Sequence, residues 1–290
     1  MASLRDIRRR IRSVRNTQQI TKAMKMVAAS KLRKAQARLM AIRPYEQSVG
    51  GMLHTVLARL MGDENPLLTG RGGRRVSLIL ITGDKGLSGA FNNNAIRRAE
   101  GFIRERSGQE VVVTAIGKKG ARYYLKTARH RPAAVYTGLS EAVTYAQAAA
   151  IMSKQVAGYL AGECDEVHVI YSYFQSAIAQ QVRVEKLLPF ETAEAAREAP
   201  AGPQEVYLLE PSAEEVAERL LNESLNIRLF RALLESASSE HGARMTSMDN
   251  ATKSADDIIG ALTQQFNRAR QSLITTEIAE IVGGADALGK

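Results

Sequence analysis

From Ser212 to about Val282 the chain carries a proline-free helical pattern of about 70 residues, and no other feature constrains the fold as strongly. Its apolar frame steps through Val216, Leu220, Ile227, Phe230, Leu234 and Ala237. It turns polar at His241 and Arg244, then resumes at Met248, Ala251, Ala255, Ile258, Leu262 and Ala269. At ~1.5 Å per residue such a helix extends on the order of 105 Å, longer than the core of one globular domain, so it has to protrude. Ser212, just after Pro211, is placed to cap its start, with Glu214, Glu215 and Glu218 near the positive end of the helix dipole. Gly283-Gly284 is expected to end it.

A second long helix is expected over residues 3–61. Leu4, Ile7, Ile11 and Val14 set a heptad frame that returns at Leu32, Ala35, Leu39 and Ile42, and again at Val49, Leu53, Val56 and Leu60. A frame held this far signals a coiled-coil seam. Pro44 and Gly50-Gly51 are expected to kink or weaken the helix. Between the apolar blocks the frame positions are Gln18, Thr21, Lys25 and Ala28, while Ile20, Met24 and Val27 form a displaced stripe. If both helices leave one domain they run antiparallel. Facing residue numbers then add to about 270 by the register argument, and the two polar windows, near Ala23 and Gly242, meet within about one and a half turns. Met1 would stand level with roughly Phe266, leaving Leu273, Ile274, Ile278, Ile281 and Val282 without a first-helix partner. A lone helix exposing those groups needs a socket from other chains.

The formal charge of +10 sits in one place. Residues 1–43 hold thirteen Lys/Arg against Asp6 alone, and the remainder holds 27 basic and 29 acidic residues. Such a segment suits an anionic partner, whether nucleic acid, membrane or acidic protein. No aromatic residue precedes Tyr45, which argues against single-strand nucleic-acid binding. Cys164 is the only cysteine, excluding a disulfide framework within the chain. No run approaches the ~18 continuous apolar residues of a membrane span.

Between the helices, "GDENPLLTGRGGRR" is turn chemistry, and strand-like and helix-like segments then alternate. Strands are expected over 76–82, 110–116, 134–136, 167–173 and 180–187, with helices over 93–106, 118–127 and 144–161. The last two strands are close enough to pair antiparallel. The alternation argues an open α/β (Rossmann-like) sandwich with a mostly parallel sheet. The domains are therefore 1–61 and 212–282 as an antiparallel coiled coil, 74–190 as an inserted α/β domain, and 191–211 as a polar loop.

Candidate chemistry is sparse. "ITGDKGLSGAFN" places Gly83, Gly86 and Gly89 between a strand and a helix, as phosphate cradles do, but the spacing fits neither the dinucleotide fingerprint nor the P-loop. A nucleotide-binding switch with a coiled-coil handle is the alternative reading that this loop supports. His54, His130, His168 and His241 have no metal-ligand spacing, and no catalytic constellation can be argued. No cofactor, metal or catalytic residue is expected.

"IRRRIRSVRNTQQITKAMKMVAASKLRKAQ", "ITGDKGLSGAFN", "SEHGARMTSMDNATKSADDII" and "FNRARQSLITTEIAEIVGGADAL" together resemble the gamma subunits of F-type ATP synthases. The resemblance covers essentially the whole chain. It implies a central rotor shaft, one copy per complex, inside a hexamer of alpha and beta subunits. The α/β domain would face the epsilon subunit and a membrane ring of ion-carrying subunits. It implies no active site in this chain and a bacterial type peripheral to the cytoplasmic face of the plasma membrane. Residue by residue, Arg270 and Gln271 match the family's "catch" on a beta-subunit loop. Met24 and Arg244 match a pair facing each other midway along the coiled coil, and Lys25 matches the basic face toward an acidic lever of beta. Leu273, Ile274, Ile278, Ile281 and Val282 fall in the part that enters a hydrophobic sleeve, and Glu205 and Tyr207 in the part near the membrane ring. Ser88 stands where many relatives carry cysteine, and the chloroplast redox loop is absent.

Overall fold

The computed structural model describes residues 3–60, 65–127, 131–139, 143–191 and 208–288. Among the described residues ten elements follow in order: helix α1 (Leu4–Arg59), β1 (Arg75–Ile81), α2 (Phe91–Glu105), β2 (Glu110–Ile116) and α3 (Lys118–Lys126), then β3 (Ala134–Tyr136), α4 (Tyr145–Leu160), β4 (Glu166–Phe174), β5 (Gln180–Leu188) and α5 (Ala213–Leu288). The chain divides into two compact units: residues 1–27 with 245–290, and residues 28–244. The first is helical and the second holds the sheet.

In the α/β unit the strand order is β3-β2-β1-β4-β5. β1 runs parallel to both β2 and β4, β2 parallel to β3, and β5 closes the edge antiparallel to β4. The mixed sheet matches the expectation, including the antiparallel final pair. β1 is central and buried from Val76 onward. Its side chains alternate faces, as a pleated strand requires. Val76, Leu78 and Leu80 pack with Ala95, Ala99 and Phe102 of α2 and Tyr124 of α3. Ile79 and Ile81 pack instead with Leu39, Ile42, Val49 and Leu53 of α1, Ile151 and Met152 of α4, and Leu221, Leu225, Leu229 and Leu233 of α5.

That second face explains a stretch that heptads alone do not. Almost every residue from Ser224 to Ala243 is buried, polar ones included. A helix buried all round is enclosed by its own domain. Here α5 lies in the core formed with the sheet, α1 and α4, and not in a two-helix seam. Ser236, Ser238, Ser239 and Ala237 are small on the enclosed helix, and the Ser239 hydroxyl donates to the Ser172 carbonyl of β4 at 2.9 Å.

The helix boundaries bring corrections and confirmations. The Glu215 N–H donates to Ser212 Oγ at 3.2 Å, so Ser212 caps α5 as expected. Gly283-Gly284 does not end α5, which runs on to Leu288. A glycine costs only about 1 kcal/mol in a helix, and the following Ala285, Ala287 and Leu288 are strong helix formers. α1 likewise stays helical through Pro44 and Gly50-Gly51.

Candidate functional site

In the helical unit the interrupted seam of α1 meets polar partners on α5. The Thr21 and Thr252 hydroxyls stand 2.8 Å apart, either able to donate. The Lys25 ammonium lies 2.5 Å from the Asp249 carboxylate, which Lys253 also approaches at 3.2 Å. The hydrogen bond from Lys25, then that from Lys253, holds the Asp249 carboxyl below the usual carboxylate range. Gln18 Nε2 donates to Asp256, and the Arg8 guanidinium sits 5.4 Å over the Phe266 ring. Thr21 and Ala28 are buried as frame positions, whereas Ile20 and Val27 are more than half exposed. The α1 frame is therefore unbroken in geometry and changes only its chemistry.

These pairs correct the register. Lys25 faces Asp249, where the expected register placed it level with Met245, a displacement of about one helical turn. The compact polar windows locate a centre only to within a turn, because each is longer than a turn. On α5 the inward position after Ala255 is Ile259, with Ile258 exposed, so the expected frame at Ile258 is also one residue off. Met24 is half-buried in the helical unit, level with Asn250 between the Thr21 and Lys25 pairs. Cysteines replacing Thr21 and Thr252 should form a disulfide on mild oxidation, read as a faster-migrating band on a non-reducing gel. Cysteines replacing Thr21 and Met245 should not, and the opposite pattern would refute this register.

Arg244 belongs to the α/β unit. Its guanidinium donates to the Gly86 carbonyl at 3.3 Å from both Nε and Nη2, to Glu240 Oε1 at 2.5 Å, and lies 3.3 Å from His241 Nδ1. The Glu240 carboxylate is buried where a Cβ on Gly83 would stand only 2.7 Å from its carboxyl carbon. The glycine loop thus grips α5.

The same loop satisfies its own polar groups. The Gly83 N–H donates to Asn92 Oδ1 at 2.8 Å. The Asp84 carboxylate accepts from the Lys118 N–H at 3.0 Å and the Gly138 N–H at 2.9 Å. Asp84 therefore satisfies the start of α3. Among the described residues no group of three His, Cys, Asp or Glu could hold a metal ion, and no helix is long and apolar enough to cross a membrane.

At the far end of the helical unit α1 begins at Leu4, which the Arg8–Phe266 level sets beside Arg270. Arg270 and Gln271 are exposed. Leu273 (50%), Ile274 (45%), Ile278 (56%), Ile281 (71%) and Val282 (55%) are all exposed as well. Residues Arg5, Arg8, Arg9, Arg10, Arg12, Arg15 and Lys22 give the same unit a basic outer surface. Glu205 and Tyr207 lie outside the described residues.

The chain matches the ATP synthase family over residues 3–288. It is 44% identical over 290 residues to the ATP synthase gamma chain of Geobacter metallireducens, spanning 99% of each chain. The chain belongs to the ATP synthase gamma-chain family. The gamma chain of Desulfitobacterium hafniense is 48% identical over 296 residues, covering 99% of this chain and 100% of its own. That of Desulforamulus reducens is 46% identical over 288 residues, with 99% and 100% covered. Among solved structures, a chain of the Tetrahymena thermophila mitochondrial ATP synthase central stalk and c-ring is similar, with a TM-score of 0.61 and 28% identity. That similarity covers 80% of this chain and 99% of that one. A chain of the Euglena gracilis mitochondrial enzyme shares the fold, with a TM-score of 0.67 at 20% identity over 98% and 94%.

Sequence reasoning missed two parts of this arrangement. Asp84 reads as a loop acid until the start of α3 is placed beside it. An ion cluster around half-buried Arg231 joins half-buried Glu46 and Glu185 with buried Glu235, from three elements. Its one sequence signal is the presence of Arg231 and Glu235 within a stretch that leaves α5 no polar face.

Proposed function

We propose that this chain is the central-stalk rotor of an F-type ATP synthase. It turns inside the alpha–beta hexamer and couples ion-driven rotation of the membrane ring to the conformational cycle of the beta subunits. The observation that carries this reading is the exposed run Leu273–Val282 beyond the start of α1, in a chain of the gamma family. Each of those side chains contributes about 1.5–3 kcal/mol once a socket covers it. The hydrophobic sleeve of the hexamer is that socket, with Arg270 and Gln271 at its rim as the catch. Arginine suits the rim because its planar fork pairs with carboxylate or carbonyl groups in fixed geometry.

Catalysis belongs to beta in this reading, and this chain has no active site of its own. A rotor acts by binding the alternative beta conformations with different free energies at each angle, since only a difference shifts a population. The basic surface of α1 supplies charge toward the acidic lever of beta. Lys25 is already paired with Asp249, so its contribution there requires exchange of partners. Glu205 and Tyr207 face the ring, the α/β unit faces epsilon, one copy serves each complex, and the assembly lies on the cytoplasmic face of the plasma membrane.

The test is co-assembly with alpha and beta chains, scored by multisite ATP turnover. Adding this chain should raise turnover and yield a stable complex. Unchanged assembly and turnover would refute the rotor reading. Arg270→Glu should cut coupled turnover by about tenfold, the effect of losing one charge-assisted bond and its geometry. The isolated variant should keep its helical circular dichroism, because Arg270 is exposed. Full coupled turnover in the variant would remove Arg270 from the catch.

A further inference from the structure

Beside β5 the α/β unit holds a cleft of about 470 Å3, lined by Arg98 of α2, Tyr173 of β4, Arg183 and Glu185 of β5, and Arg231 and Glu235 of α5. At its floor one guanidinium joins three elements. Arg231 Nη2 lies 2.8 and 3.0 Å from the two oxygens of Glu185, and Nη1 lies 3.0 Å from Glu46 Oε1 on α1. The Tyr171 hydroxyl donates to Glu185 at 3.0 Å. Glu235 stands one turn along α5 from Arg231, only 6% exposed, and its Oε2 is buried without a hydrogen-bond partner.

We propose that this cleft is a proton-binding control site: a proton taken up by Glu235 tightens the Arg231 brace between α1 and β5, and its loss loosens the brace. With Glu235 neutral, Arg231 serves two carboxylates, Glu46 and Glu185. With Glu235 ionised, a third buried carboxylate competes for the same guanidinium. The cations facing it are Arg231 on its own helix and Arg183 on β5. The anions are Glu185 on β5 and Glu46 on α1, and Tyr171 of β4 is already committed to Glu185. Sharing one guanidinium weakens its bond to Glu46, the ionic part of the contact between α1 and α5.

Burial pushes the Glu235 carboxyl up to about 7, against the opposing pull of Arg231 and Arg183 and with further help from Glu185 and Glu46. The folded chain therefore holds this proton between about pH 4.5 and pH 7 while the unfolded chain has released it. Stability from the site is full at the acid end and falls as pH rises through 7. Buried His168 has the opposite sign: its lowered value makes the folded chain more stable as pH rises through its range. Comparison with a Glu235 variant removes that background.

The experiment is thermal unfolding of the full chain and of Glu235→Gln between pH 5 and pH 8. The two midpoints should coincide near pH 5 and separate by roughly 5 °C at pH 8, with the variant the more stable. Hydrogen exchange at pH 8 should be faster in the native chain than in the variant, with the largest ratio around Glu46 and Glu185. Parallel melting curves across the range would overturn the proposal. Should Glu235→Gln fail to fold, carboxyl carbon-13 titration of Glu235 in the native chain decides: a midpoint near 7 supports the site, and one near 4.5 refutes it.

Discussion

Arg231→Met should destabilise the full chain by about 3 kcal/mol, the lower end of the cost of leaving desolvated carboxylates without their cation, since Glu46 and Glu185 are half-buried. Methionine keeps an unbranched stem of similar length, so the loss reports on charge and hydrogen bonding. Glu185 loses two charge-assisted bonds at 2.8 and 3.0 Å, and Glu46 loses its partner at 3.0 Å. Adding Glu185→Gln and Glu46→Gln to Arg231→Met should restore part of the stability, because a neutral cluster no longer buries unpaired charge. Urea unfolding of the native chain, Arg231→Met and the triple variant at pH 8 measures both claims. A loss below 1 kcal/mol at pH 8 would show that solvent in the cleft already screens the cluster.

The second large effect is expected at Gly117, where β2 ends and α3 begins. Its φ of 97° is one that side-chain-bearing residues rarely adopt, and a Cβ there would stand 2.0 Å from the Thr82 carbonyl oxygen. That oxygen is backbone and cannot swing aside. The Thr82 hydroxyl accepts the Gly120 N–H at 2.9 Å, and the Gly117 N–H donates to the Tyr136 carbonyl at 2.7 Å. Relief of the overlap would therefore pull the ends of β1, β2 and β3 apart. Gly117→Ala should cost about 3 kcal/mol or more and lower the soluble yield. Gly72→Ala separates the two causes, because Gly72 has a φ of 62° with open space around it. It should cost only about 1 kcal/mol. Equal losses at the two positions would mean that backbone conformation, and not overlap, dominates at Gly117.

Local chemistry was legible wherever neighbours in sequence decide structure. The strands at Glu110–Ile116 and Ala134–Tyr136 have the bounds that their composition indicates, and Ser212 caps the helix that follows it. Heptad spacing located the inward face of α1 through its polar window, down to Thr21 and Ala28. What periodicity lacks is an absolute axial zero, so the register slipped by a turn and Ile258 was taken for Ile259. The enclosure of residues 224–243 was also hidden, because a helix wrapped by a sheet and by another helix has no outward face to display. The Arg231 cluster draws on residues 46, 185 and 231, which no local pattern connects. In the candidate site, exposure of the tip followed from helix length alone, whereas the grip of Gly86 on Arg244 required the fold.

The hydroxyl pair Thr21–Thr252 and the ion pair Lys25–Asp249 have a mechanical consequence. A seam of leucines alone is satisfied again after one helix creeps past the other by a heptad, about 10 Å. Creep of that size here would put Thr21 against Ile259 or Met245 and Lys25 against Asp256 or Gly242. In one direction the lysine keeps an acid but both threonines lose their partner, and in the other neither pair survives. Only one axial setting satisfies both. For a shaft loaded by twisting, the polar window is thus a brake on creep: it gives up some adhesion and keeps the stroke delivered at one end equal to that received at the other.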